Sequence, residues 1–218
     1  MKDDTPKILF EDNHIIAVNK PAGWLVQGDD TGDTPLSDWV KDYIKHKLNK
    51  PGDVYLGVLH RIDRPVSGIV LFARTSKAAE RMSKAIQQHQ IKKFYIAEVK
   101  GMLPNTSGTL EHFLTRNESN NTAKAYLKEV PGSKPAKLDY RVLEQKGKNS
   151  IVEILLHTGR HHQIRVQLAA INCPIVGDLK YGYPTANKDA SINLHAYKVQ
   201  FEHPVKKEMV EIVSQPTF

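Results

Sequence analysis

Two short segments carry most of the side chains that could do chemistry, each set in an otherwise apolar stretch. The first is His60-Arg61-Ile62-Asp63-Arg64-Pro65-Val66-Ser67-Gly68, just ahead of an apolar run at 69–72. Pro65 and Gly68 make this segment a loop, so Asp63 stands at a strand entrance rather than on a helix. Cations at 61 and 64 favour the ionised carboxylate. That makes Asp63 a poor general acid but a credible nucleophile or base. An aspartate capping a turn, with both arginines in surface ion pairs, fits the same residues. The second segment is His157-Thr158-Gly159-Arg160-His161-His162-Gln163-Ile164-Arg165. Thr158-Gly159 turns the chain out of a strand, and a helix is expected just after Gly159. Its unpaired N–H groups would seat a phosphate, with Arg160 alongside. Arg165, between Ile164 and Val166, points partly inward and there needs an anion; Asp63 has the right chemistry. His157 and His161 have a metal-ligand spacing, with His162 adjacent. Gly159 breaks the helix that would align them, and neither a cysteine nor a nearby carboxylate completes a metal set. Tyr95, alternating with Ala97 and Val99, fits a core aromatic.

These groups need a scaffold, and the hydropathy pattern supplies one. Residues 8–10 and 15–18 flank the polar Glu11-Asp12-Asn13-His14 as a hairpin, and Lys20-Pro21-Ala22-Gly23 ends its second strand. Thr34 and Pro35 suit the N-cap and first position of a helix over 35–49. Leu36, Trp39, Val40, Tyr43, Ile44 and Leu48 form its stripe. Thr75 caps a second helix, with Ala78, Ala79, Met82, Ala85 and Ile86 inward and Lys77, Arg81 and Lys84 outward. Strands are expected at 69–72, 94–100, 138–143, 151–157, 193–201 and 208–213, and the polar stretch 104–136 reads as loops around a short strand. The helix after Gly159 carries Ile164, Leu168 and Ile171. Trp24 and Trp39 are assigned to packing and Cys173 to structure. Strands outnumber helices and hairpin spacings recur, which predicts an α+β fold with a mostly antiparallel sheet.

Composition excludes several classes. With 218 residues, 40% hydrophobic and 25% charged, the chain can bury a core, so wholesale disorder is ruled out. No apolar run reaches membrane-span length, and no apolar stretch follows the N-terminus as in a signal peptide. A single cysteine excludes an internal disulfide framework. A reduced, soluble, cytoplasmic protein is expected. The net charge of +7 is uneven: residues 60–100 carry nine basic groups against three acidic. A basic segment inside a folded region suits a polyanion such as nucleic acid. A solvated helix face is the plainer alternative.

Taken in order, the segments resemble the RluA-type pseudouridine synthases over nearly the whole chain, about 8–213. The resemblance rests on Asn19-Lys-Pro-Ala-Gly23, His60-Arg-Ile-Asp63 with Ser67-Gly68, Lys93-Phe-Tyr95 and Thr158-Gly-Arg-His-His-Gln-Ile-Arg165. Pro174-Ile-Val-Gly-Asp178, Tyr181-Gly182, Leu194-His-Ala196 and His203-Pro204 follow in the family's order. It implies an RNA isomerase that converts uridine to pseudouridine in structured rRNA or tRNA without cofactor or metal. The implied fold is one catalytic domain, 1–218, with two sheet-based lobes, flanking helices and a central cleft, and no room before Ile8 for an S4 domain. Asp63 matches the catalytic aspartate, Tyr95 the tyrosine that stacks on the target base, and Arg165 the cation paired with the aspartate. The target nucleotide must leave its stack, and Arg61 is a candidate to fill the vacated space. His60, Arg64, Lys92, Lys93, Arg160, His162 and Gln163 complete the expected RNA contacts, and a monomer is the expected state. Two departures line the presumed cleft. Arg64-Pro65-Val66-Ser67 replaces a common Asp-Thr-Ser ending, and His161 stands where Thr is common.

Overall fold

A hairpin opens the chain: β1 (Lys7–Glu11) and β2 (Ile15–Lys20) pair antiparallel. The Asp12 carboxylate closes their turn by accepting the N–H groups of His14 and Ile15 at 2.8 and 2.9 Å. The structure, a computed structural model, describes residues 5–29, 32–49 and 51–218. Next come α1 (Leu36–Lys47), β3 (Gly57–Val58), β4 (Ser67–Ala73), α2 (Ser76–Gln87) and β5 (Lys92–Lys100). Then follow β6 (Ser107–Asn117), β7 (Thr122–Tyr126), β8 (Lys134–Lys146), β9 (Asn149–Leu156) and α3 (Gln163–Ala170). A 3-10 turn at Leu179–Tyr181, β10 (Leu194–Glu202) and β11 (Met209–Val213) complete the chain. No described helix is long and apolar enough to cross a membrane. The elements fall into two units, Met1–Ile91 with Ala196–Pro216, and Lys92–His195 with Thr217–Phe218.

In the first unit the strand order is β1-β2-β4-β10, with β3 on β4 and β11 on β10. The start of β4 lies so close to β10 that Gly68, at φ +112°, admits no side chain: a Cβ there would collide with the Ala196 backbone. Helix α2 forms as its pattern requires. Thr75 Oγ1 accepts the Ala78 N–H at 3.2 Å. Ala78 and Met82 pack on Ile69, Leu71, Val199 and Phe201, and Lys77, Arg81 and Lys84 stay exposed. Helix α1 departs from expectation at both ends. Pro35 is the extended N-cap, and Thr34 does not cap the helix. The first two N–H groups instead reach the carbonyls of Leu25 and Val26 at 2.8 and 3.1 Å, so backbone does the work of a side-chain cap. Leu48 is the C-cap and 45% exposed, so the apolar stripe ends at Ile44.

The second unit is a meander-like sheet in the order β5-β9-β8-β6-β7, antiparallel throughout. The stretch 104–136 is therefore largely strand, not loop. Its strands are covered on one face only: Leu114, Ala123 and Ala136 pack on Val166 of α3. The other face is largely polar, with few large apolar residues to mark the period. Helix α3 begins at Gln163 rather than just after Gly159. His162 adopts the left-handed conformation (φ 51°), and residues 160–162 turn into the helix. Ile171 is its C-cap rather than part of its buried face.

Candidate active site

In the first unit Asp63 is half-buried and lies on a loop pinned by backbone bonds. The Val66 N–H donates to the Asp63 carbonyl at 3.0 Å, and the Gly23 N–H donates to the Arg64 carbonyl at 2.8 Å. Beneath them sits Lys20, fully buried. Its Nζ donates to the carbonyls of Trp24, Pro21 and Arg64 at 2.8, 3.0 and 3.2 Å. Burial pushes this ammonium down to about 7; the nearby Asp63 carboxylate opposes the fall, and Arg64 adds to it. The three carbonyls match the three donors of the charged form, so the clamp itself works against deprotonation. The sequence assigns Lys20 no role. Its signal is a lysine that ends an apolar strand immediately before a proline.

The cations around Asp63 divide. Arg61 is exposed. Arg64 is also exposed and pairs with Asp33 at 2.6 Å. His60 Nε2 accepts the Leu71 N–H at 3.2 Å, which leaves its proton on Nδ1 and fixes its ring against β4.

In the second unit the strand register sets the other groups on one face. Lys93 pairs with Leu156, Leu156 with Leu138, and Leu138 with Leu110. Ala136, two residues before Leu138, is on the face that α3 covers. By the alternation of β5, Lys93 and Tyr95 share that face. Tyr95 is 6% exposed. Lys92 is exposed, whereas burial lowers the pKa of the half-buried Lys93.

Arg165 is 5% exposed, and the anion that burial demands is supplied within its own unit by Asp178, itself 1% exposed. Nε and Nη2 of Arg165 donate to Oδ2 and Oδ1 at 2.7 and 2.9 Å, a side-on bidentate pair. Asp178 lies thirteen residues on, and the sequence assigns it no such role. The Gly177-Asp178 step in the motif is its sequence signal. Gly177, at φ +85°, makes the turn beside Asn187, where a Cβ would lie 2.7 Å from Nδ2.

The segment before α3 is tied down internally. Gln163 Oε1 accepts the Arg160 N–H at 3.0 Å and the Thr158 hydroxyl at 2.8 Å, and its Nε2 donates to the Lys137 carbonyl at 3.1 Å. Arg160 is exposed, with Nε donating to the Pro135 carbonyl at 3.0 Å. His162 stacks on His161 at 3.8 Å, and its Nδ1 lies 2.7 Å from the Tyr181 hydroxyl. His157 instead meets Asp139 of β8 at 2.6 Å, so the three histidines do not converge. Among the described residues, no group of three or more His, Cys, Asp or Glu could hold a metal ion.

The sequence comparisons with known proteins agree on one family. A family model described as RNA pseudouridylate synthase matches residues 14–170, a span that includes Asp63, Tyr95 and Arg165. The chain is 33% identical over 208 residues to the uncharacterized RNA pseudouridine synthase YhcT of Bacillus subtilis, covering 93% of this chain and 66% of that one. It is 32% identical to ribosomal large subunit pseudouridine synthase D of Nitrosomonas europaea, over 91% of this chain and 58% of that protein. Against tRNA pseudouridine synthase C of Yersinia pestis the identity is 31%, with 96% and 86% covered. The chain thus spans less than two thirds of the length of the first two relatives. Among solved structures, human RNA pseudouridylate synthase domain containing 4 superposes with a TM-score of 0.80 at 21% identity, over 96% of this chain and 88% of that one. At that identity the likeness speaks to the fold.

Proposed function

The chain belongs to the RNA pseudouridylate synthase family, and from that premise we propose that it isomerises specific uridines to pseudouridine in structured RNA, with Asp63 as the essential carboxylate. In this reaction the N1–C1′ bond of the nucleotide breaks, the uracil turns, C5 bonds to C1′, and the C5 hydrogen leaves as a proton. N1 takes up a proton as C5 gives one up, so atoms and electrons balance and the reaction consumes no oxidant, reductant or co-substrate.

The observation that carries the reading is the build of the Asp63 loop. Its carboxylate is half-buried, its backbone is pinned by Val66, Gly23 and Lys20, and a buried ammonium lies near it. Such a group is pre-oriented, as attack on the sugar, attack on the ring or proton removal each requires. Tyr95 is assigned to the face of the base and to proton removal at C5, and Arg165 to holding the aspartate in one rotamer. Exposed Arg61, Arg64, Arg160 and Lys92 are assigned to RNA, Arg61 by stacking in the space the flipped base vacates. His60, His162, Gln163 and Lys93, more deeply set, are assigned to shaping the RNA-facing backbone. The relatives' names cite large-subunit ribosomal RNA and tRNA, and either class is the proposed substrate.

The test is tritium release from RNA labelled at C5 of uridine. Asp63→Asn keeps the shape and removes the charge; it is expected to lose roughly three orders of magnitude or more in rate, while RNA affinity stays within a few fold. Equal release by wild type and variant overturns the assignment. Mapping pseudouridines in cellular RNA with and without the protein identifies the substrate.

A further inference from the structure

The Tyr181-Gly182 motif has no role in the chemistry above, yet Tyr181 stands where three parts of the second unit meet. Its ring centroid lies 5.1 Å from Cζ of Arg165, over the guanidinium. Three residues earlier on the same turn, Asp178 grips the edge of that guanidinium. One short turn therefore holds Arg165 by edge and by face. The Tyr181 hydroxyl reaches the other way. It accepts the Ala123 N–H of β7 at 2.8 Å and lies 2.7 Å from Nδ1 of His162. Lys180 adds a bond from Nζ to the Asn121 carbonyl at 3.1 Å, at the tip of the same hairpin.

The link to His162 matters because α3 has no side-chain N-cap. Arg165 sits in the first turn of that helix, where an unfixed start would let its stem move. His162, the N-cap residue, is held by its ring instead, stacked on His161 and edge-on to Tyr181 at 5.6 Å. We propose that Tyr181 is a positioning residue: its hydroxyl anchors the turn to β7 and to the start of α3, and so fixes the guanidinium of Arg165 for the reaction. The proposal rests on the role given to Arg165 above.

Tyr181→Phe tests it, because the ring over Arg165 and the buried volume remain while the hydroxyl is lost. In tritium-release kinetics, at a temperature where circular dichroism shows the variant folded, kcat is expected to fall about tenfold with KM within about twofold of wild type. The double variant Tyr181→Phe/Arg165→Lys is expected to be no slower than Arg165→Lys alone, since the hydroxyl acts through that side chain. A raised KM at unchanged kcat, or losses that multiply in the double variant, overturns the proposal. A second readout needs no turnover. The Nε–H of Arg165, bonded to Asp178, is expected to exchange with solvent at least about tenfold faster in Tyr181→Phe by NMR; unchanged exchange also overturns it. A wild type that releases no tritium counts against the proposed function, whereas the exchange measurement still decides this one.

Discussion

The Asp63 loop and the Arg165 cluster solve the same problem, fixing one charged side chain, by opposite means. Around Asp63 the fixing acts on main chain: carbonyls of Asp63 and Arg64 accept bonds from the Val66 and Gly23 N–H groups and from Lys20 Nζ, while the neighbouring arginines are exposed. Around Arg165 it is done by side chains, through Asp178, Tyr181, His162 and Gln163, nearly all removed from solvent. A backbone clamp keeps a carboxylate in place yet half-open, as the role proposed for Asp63 requires. A closed side-chain network gives rigidity, but each member depends on the others to offset the cost of burying charge.

That contrast is sharpest in stability. Asp178→Ala leaves the Arg165 guanidinium buried without its bidentate partner, and a loss of about 3–5 kcal/mol is expected by urea denaturation. Asp33→Ala removes the partner of Arg64 at a pair that is about half exposed, and a change within about 0.5 kcal/mol is expected. Comparable losses at the two sites would break the distinction.

Lys20→Met probes the clamp next. It strips the donor from three carbonyls, for an expected loss of about 1–3 kcal/mol at neutral pH. Activity should fall roughly tenfold to a hundredfold as the Asp63 loop loosens. The same variant carries a pH signature. The folded value of about 7 lies below the ordinary 10.5, so the unfolded chain holds more protons between them. Wild-type stability should therefore rise as pH increases through that window, with this contribution flat below about 7. In Lys20→Met the rise should shrink to the share contributed by Lys93, also lowered by burial; an undiminished rise in denaturation curves would show that Lys20 does not carry it.

The smallest effects belong to the exposed cations. Arg160→Ala and Lys92→Ala should leave stability nearly unchanged and weaken RNA binding a few fold. Each should lower the slope of log affinity against log salt by about 0.7–0.9, the range for one lost phosphate contact. An unchanged slope would remove that residue from the RNA interface.

Much of this was legible where the pattern is local. The Asp12 turn, the Thr75 cap and the faces of α2 follow from neighbours within a turn or two, and they stand as expected. The edge strands β6 and β7 were hidden because one covered face, lined by Leu114 and Ala123, leaves a polar sequence that resembles loop. The start of α3 was displaced because Gln163 folds its carboxamide back onto Arg160, a side-chain bond that competes with an earlier helical turn.

From the sequence alone came the identity of the chemical groups, the order of the motifs, the α+β class and the candidate carboxylate at 63. These depend on residue type and short-range period, which a linear chain displays directly. Only the tertiary structure decided what the buried charges bind, and that Lys20 is one of them. Lys20 reaches a carbonyl 44 residues away, and Arg165 pairs with a buried aspartate 13 residues on. Burial depends on segments brought together across the chain, and the desolvation that follows turns an ordinary lysine or arginine into a structural centre.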